Sequence, residues 1–193
     1  AGLTAARRKA AKKLVRETGK ALDSLAMGQC SFEVRLAPRE ARTPHAAGAE
    51  AVELLIATNP GAAPQPLARI ASGGELSRIS LAIQVVTASA TTVPTMVFDE
   101  VDVGVGGGVV EIVGRLLREL GEHAQVLCIT HQPQVAAQGH QHWQVHKIQG
   151  KDTTHTRIQS LDSGARVEEV ARMLGGVEIT ESTLTHAREM LDK

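Results

Sequence analysis

The chain has 193 residues, 42% of them hydrophobic, and its 21 basic side chains balance its 21 acidic ones. This apolar content supports a folded core and argues against general disorder, and no apolar run reaches the roughly 20 residues of a membrane-spanning helix. With Phe32, Phe98 and Trp143 as its three aromatic residues, the chain lacks a surface for stacking single-stranded bases. Cys30 and Cys128 are predicted to be buried thiols of a cytosolic protein, not a disulfide pair.

The first 28 residues predict a helix, because they contain no proline and are rich in alanine, lysine, arginine and leucine. Seven basic and two acidic side chains give this segment a charge of +5, so the rest of the chain carries −5. The basic stretch 7–20 has two interpretations. A solvated face of a coiled coil is favoured over a surface that binds DNA phosphates.

The remaining pattern predicts strands and helices in alternation. In chain order they are strands at 31–36 and 51–58, a helix that opens at Ser72 and closes before Pro94, a strand at 95–98, a helix at 109–120, a strand at 125–130, a hairpin of 141–149 with 153–159, and helices at about 163–174 and 180–191. Apolar strands that alternate with helices indicate an α/β fold, with parallel strands covered on both faces.

The first segment with chemical potential is Ser72-Gly73-Gly74-Glu75, at the start of a predicted helix. Free backbone N–H groups at a helix start, next to glycines that permit close approach, form an anion site suited to phosphate. The same residues also fit an ordinary N-cap serine followed by a glycine turn. The short motif does not choose between these interpretations.

Two further segments follow apolar strands. Asp99 and Glu100 end the strand at 95–98, where one carboxylate can hold Mg²⁺ and the next can orient and deprotonate a water. His131 ends the strand at 125–130 and can donate a hydrogen bond to a terminal phosphate. Each also fits a plain interpretation, namely an acidic strand end and an ordinary polar terminus. Ligands of parallel sheets bind at this carboxyl edge, so the two segments predict one shared site.

Taken together, the three segments resemble the C-terminal half of an ATP-binding-cassette head. Ser72-Gly73-Gly74-Glu75 resembles the signature motif, Val97-Phe98-Asp99-Glu100 the Walker B motif, and His131 the switch histidine. The turn after Glu100 has no proline of the transporter kind and is similar to that of SMC-like DNA-repair ATPases, although Gly106 stands where SMC heads have Asp. The resemblance covers essentially the whole chain. It implies the C-terminal lobe of an SMC-type ATPase head over 29–193, with parallel core strands flanked by helices, and the end of a coiled-coil arm over 1–28.

The resemblance also implies roles for these residues. Glu100 would be the general base, Asp99 the Mg²⁺-side carboxylate, and His131 the γ-phosphate sensor of a bound ATP. The signature segment, Ser72 to Glu75, would act on the ATP of a second head, and Asp102 with the following glycines would cross the interface between two heads. The implied setting is the bacterial cytoplasm near the nucleoid, in recombinational repair of DNA double-strand breaks, with no membrane partner.

One expected element is missing from the sequence. No G-x-x-x-x-G-K-[ST] motif occurs, so the chain has no P-loop for the triphosphate. The resemblance implies that an N-terminal half of the same head supplies it, and that this chain alone is inactive. Two alternatives stay open: half of another ATP-binding-cassette ATPase, and a non-catalytic DNA-binding or dimerisation module. Three histidines, His140, His142 and His146, could suggest a metal, but solvated strand positions are favoured.

Overall fold

The computed structural model describes residues 2–40, 45–90, 93–149, 154–175 and 179–192. Its helices are α1 (Gly2–Ser24), α2 (Gly73–Thr87), α3 (Gly108–Gly121), α4 (Pro133–Gln138), α5 (Ser163–Gly175) and α6 (Glu181–Leu191). Its strands are β1 (Ser31–Pro38), β2 (Glu50–Ala57), β3 (Gln65–Pro66), β4 (Thr95–Phe98), β5 (Gln125–Cys128), β6 (Trp143–Gln149) and β7 (Thr154–Ser160). Among the described residues, no helix combines the length and apolar character needed to cross a membrane.

The first unit is α1 packed on an antiparallel sheet. Strands β1 and β2 pair along their full length, with Phe32 opposite Ile56, and β3 adds two residues at the free edge of β2. In the C-terminal half of α1, Leu22 is buried in the main core. Leu25, directly after the helix, is buried in the same core. Near the other end, Arg7 forms an ion pair of 3.3 Å with Glu50 at the start of β2. These contacts fix both ends of α1 to the rest of the chain.

The second unit is the parallel pair β4–β5, flanked by α2 and α3. Phe98 lies opposite Cys128, so both strands end at the same edge. Successive strand residues point to opposite faces, and Met96 and Phe98 enter the core that also holds Ile79 of α2 and Val113 of α3. The strongly amphipathic pattern of α3 explains this placement, since its buried positions recur every three or four residues.

The prediction that the parallel strands are covered on both faces is wrong for the described residues. Val97 is 63% exposed, and Ile129, directly after β5, is 59% exposed. Both residues follow the apolar pattern of a fully buried strand, yet nothing in the described part of the chain packs over them. Among the strands that the structure describes, parallel pairing is confined to β4 and β5, because β1–β3 and β6–β7 form separate antiparallel sheets.

The last unit is the β6–β7 hairpin followed by α5 and α6. Its register sets Val145 opposite Ile158. Helix α6 begins with a reciprocal capping box between Thr180 and Thr183, and it packs on α5 through a small second core that includes Val170 and Ala187. The predicted start of β7 at 153 lies outside the described residues. Both cysteines are free and half-buried, so the expectation of thiols without a disulfide is confirmed, although neither is fully buried.

Candidate nucleotide site

The signature segment starts α2, and Ser72 is its N-cap. The Ser72 hydroxyl accepts a 3.4 Å hydrogen bond from the backbone N–H of Glu75, and the Ser72 carbonyl accepts one of 3.0 Å from Leu76. The N-cap interpretation is therefore correct. It does not remove the anion site, because the amides of the first helical turn have no partner inside the helix. Ser72 and Gly73 are exposed, so a ligand can reach this end of α2.

The turn that follows β4 lies directly against this helix start. Glu100 has a φ of 57°, in the left-handed region, which turns the chain sharply after Asp99. A Cβ added at Gly73 would lie 2.6 Å from Glu100 Oε2, and one added at Gly74 would lie 3.3 Å from the Glu100 carbonyl oxygen. Gly74 is thus required for the close approach of the two backbones, whereas the contact at Gly73 is with the end of the Glu100 side chain. The Glu100 carboxylate sits beside a helix N-terminus, whose partial positive charge favours it.

Two residues of α2 hold both ends of the same turn. Ser77 donates a 2.7 Å hydrogen bond from Oγ to the carbonyl oxygen of Asp99, and Arg78 donates one of 2.6 Å from Nη1 to the carbonyl oxygen of Val103. Arg78 is 7% exposed, and burial lowers the pKa of its guanidinium, while nearby Glu75 acts in the opposite direction. Residues 99–103 are named the catalytic turn after the role that the sequence predicts for Glu100, and these two hydrogen bonds fasten the turn to the signature helix.

The catalytic turn is also fastened to the end of β5. Thr130 donates from Oγ1 to the Asp102 carboxylate and accepts a 2.9 Å hydrogen bond from the backbone N–H of Gln132. His131, between these two residues, is exposed at the same sheet edge as Asp99 and Glu100. Its Nε2 lies 3.3 Å from Nε2 of Gln132, the N-cap of α4.

One predicted residue behaves differently from expectation. Asp102 was expected to cross an interface between heads, but its side chain is 1% exposed and bound to Thr130. The reason is local: the catalytic turn folds back onto β5 instead of projecting outward. The Cys128 thiol, at the end of β5, lies close to the same turn and is disfavoured from ionising. Burial, then Asp102 and Asp99, raise the pKa of that thiol to about 12.

The carboxylate of Asp99 suits a hard cation. It is exposed at the strand end, while its own carbonyl is held by Ser77, so the side chain is free to present an oxygen ligand of the type Mg²⁺ prefers. A single carboxylate matches a metal whose other ligands are phosphate oxygens and water. Among the described residues no cluster of three metal-binding side chains exists, and His140, His142 and His146 do not form one. His142 and His140 precede β6, and burial lowers the pKa of His142.

Sequence patterns indicated the signature segment, Asp99, Glu100 and His131, and the structure gathers them around one turn. They did not indicate Ser77, Arg78 or Thr130, which make the connections. Arg78 did leave a signal, since it shares a helical face with the apolar residues Leu81 and Ala82, three and four positions later. An arginine at a core position predicts a specific carbonyl or carboxylate partner.

An open groove of 1410 Å³ lies beside this site, between β5 and β6. Exposed apolar side chains from three segments line it, namely Val97, Ile129, Trp143, Val145 and Ile158. In the described part of the chain, β5 pairs with β4 alone and β6 with β7 alone. Each therefore presents an unpaired strand edge.

The chain was compared with known proteins. It is 52% identical over 191 residues to the DNA repair protein RecN of Xylella fastidiosa (strain Temecula1) and 48% identical over 190 residues to that of Haemophilus influenzae, matching 99% and 98% of this chain and 34% of each relative. This chain resembles the C-terminal part of RecN. It spans about a third of the length of the RecN relatives. No protein-family model matches it.

The fold agrees with this result. The Smc head domain with a coiled coil and joint from Pyrococcus yayanosii superposes with a TM-score of 0.55 at 18% identity, over 82% of this chain and 28% of that one. The chain therefore has the fold of part of an SMC-type head, as the three motifs of its sequence predicted. The α1 helix fits the stub of a coiled coil.

Proposed function

We propose that this chain is the C-terminal half of an ATP-binding and ATP-hydrolysing head, which becomes active when an N-terminal P-loop half completes it. One observation carries the proposal: the signature helix and the strand end before His131 are both hydrogen-bonded to the catalytic turn, which itself contains Asp99 and Glu100. Phosphate-binding amides, two exposed carboxylates that can serve as Mg²⁺ ligand and general base, and a histidine donor are the groups that phosphoryl transfer to water needs.

The proposed reaction is attack of a water on the γ-phosphorus of ATP. Glu100 takes a proton from the attacking water as the oxygen–phosphorus bond forms, and the bond between the γ-phosphorus and the bridging oxygen breaks to leave ADP. His131 donates a hydrogen bond to a γ-phosphate oxygen. Mg²⁺, held through Asp99 directly or through water, would neutralise charge on the phosphates.

In the proposed assembly two heads would enclose two ATP molecules. Ser72, Gly73 and Gly74 of one head would face the γ-phosphate held by the other, because a helix N-terminus favours a phosphate. Glu100 would serve the nucleotide of its own head. To do so, its carboxylate must turn away from Gly73, a movement that its exposed side chain permits.

The groove between β5 and β6 is the proposed seat of the P-loop half. A strand of that half entering there would pair with a free strand edge, and its other elements would cover the sheet face that exposes the apolar residues Val97 and Ile129. The length of the RecN relatives supports this assignment, because about two thirds of each lies outside the matched segment. The proposal explains why a strand pattern typical of full burial stands open on one face.

DNA is the proposed polymer partner of the complete protein, in recombinational repair of double-strand breaks in the bacterial cytoplasm. The support is the repair function named for the relatives, together with the charge on α1. Four exposed cations share one side of that helix, the basic face of α1: Arg8, Lys9, Lys12 and Lys13. Such a face neutralises phosphates without reading bases.

The test of the proposed function is Glu100→Gln in the complete head. The amide keeps the size of the side chain but cannot take the proton, so hydrolysis should fall by about 10²–10⁴-fold while ATP binding persists. ATP should then hold a dimer that light scattering detects. Hydrolysis at the wild-type rate would contradict the assignment of Glu100, and a head that binds no ATP would favour the non-catalytic module.

A further inference from the structure

Asp102 has no role in the proposed reaction, although it lies within the catalytic turn. Its carboxylate is almost fully buried, although it follows two exposed acidic residues that have the chemical roles. Burying a carboxylate is unfavourable unless hydrogen bonds compensate it. The partner in the described structure is the hydroxyl of Thr130, at the end of β5.

The Thr130 hydroxyl links the residue after His131 to the catalytic turn. It donates to Asp102 and accepts from the backbone N–H of Gln132, the residue after His131. With the hydroxyl held by Asp102, the chain around His131 has a fixed path from β5 into α4. The position of the histidine therefore depends on a carboxylate of the catalytic turn, two residues beyond Glu100.

The other side of the catalytic turn is fixed by α2. Ser77 and Arg78 bond the carbonyls of Asp99 and Val103, which bracket Glu100 and Asp102. The turn consequently has little freedom to move relative to the signature segment. A shift of the signature helix would move the catalytic turn, and through Asp102 it would move the segment that carries His131.

We propose that Asp102 is a positioning residue that couples the catalytic turn to His131 through Thr130. The inference rests on the proposed function, since it assigns a partner to His131 within that site. Asp102 itself touches neither nucleotide nor water in this mechanism. It makes the signature segment, Glu100 and His131 respond together.

The test uses the complete head carrying Thr130→Val and Thr130→Ser, each with His131 intact and with His131→Ala. Valine matches the size of threonine but removes the hydroxyl, so kcat should fall about 10-fold to 100-fold, with KM for ATP within about twofold of wild type. Serine keeps the hydroxyl and should recover most of the lost kcat. In the His131→Ala background, Thr130→Val should change kcat by less than about twofold, because its effect runs through the histidine.

Equal losses of kcat in both backgrounds would overturn the proposal, as would an unchanged kcat in Thr130→Val. Should Thr130→Val fail to fold, Asp102→Asn provides the same comparison, because the amide is a weaker acceptor for the Thr130 hydroxyl. Measuring Glu100→Gln in parallel distinguishes a failure of the proposed coupling from a failure of the proposed function. If Glu100→Gln removes hydrolysis but Thr130→Val leaves kcat unchanged, the coupling fails alone; if Glu100→Gln hydrolyses normally, the proposed function fails.

Discussion

Replacing Gly74 by alanine tests the close contact between the signature helix and the catalytic turn. The added Cβ would lie 3.1 Å from the carbonyl oxygen of Val103 and 3.3 Å from that of Glu100. Both are backbone atoms of a turn that Ser77 and Arg78 hold in place. The turn can therefore yield only by weakening those hydrogen bonds.

The size of the effect follows from two opposing terms. Forcing an extra methyl group into a packed contact costs about 1–3 kcal/mol, while alanine gains up to about 1 kcal/mol over glycine in a helix. We expect a net loss of about 1–2 kcal/mol in the free energy of unfolding. For a chain of this length that lowers Tm by about 2–8 °C.

Thermal unfolding of the purified chain, followed by circular dichroism, measures the loss. The matched control is Gly19→Ala in α1, where an added Cβ meets no atom within 4 Å. That substitution should raise the free energy of unfolding by about 0.5–1 kcal/mol. If Gly74→Ala is as stable as Gly19→Ala, the described contact between helix and turn is wrong.

Two other predictions concern the site. In the complete head, Ser72→Arg should still bind ATP but neither dimerise nor hydrolyse it, because the arginine side chain would fill the place of the partner's γ-phosphate. Mixing this variant with a P-loop-deficient head should restore at most about half of the wild-type rate, measured by steady-state hydrolysis. Normal turnover by a dilute monomer of the variant would contradict this prediction. Cys128 should react with iodoacetamide about 10³-fold more slowly at pH 8 than an exposed thiol, because its pKa of about 12 leaves little thiolate at pH 8. Mass spectrometry of the native and the urea-unfolded chain measures the two rates of alkylation. Equal rates in the two states would refute the prediction.

Much of the fold was predictable because local pattern and tertiary environment agree. The strand at 95–98 and the helix beginning after Ser72 match β4 and α2. The prediction over 109–120 is one residue shorter than α3 at each end. In these segments apolar periodicity, capping residues and glycines all favour the same structure. The short α4 was missed because six residues are too few to show a helical period.

The pairing of the strands and the connections within the site were less predictable. Apolar runs do not distinguish a strand covered by this chain from one covered by another part of a longer protein, so the exposure of Val97 was unexpected. Asp102 was assigned from its place after the Walker B segment, but its partner Thr130 lies 28 positions later. Such a hydrogen bond depends on the parallel register of β4 and β5, which no local pattern specifies.

The most direct test of the central claim compares ATP hydrolysis by this chain alone and by the same chain combined with the proposed N-terminal P-loop half. We predict that the chain alone hydrolyses ATP no faster than its Glu100→Ala control, because the P-loop supplies most of the donors that hold the triphosphate. The combined head should hydrolyse ATP, and Glu100→Gln should abolish that activity. Steady-state hydrolysis by the chain alone well above its control would contradict the account, as would a combined head that Glu100→Gln leaves unaffected.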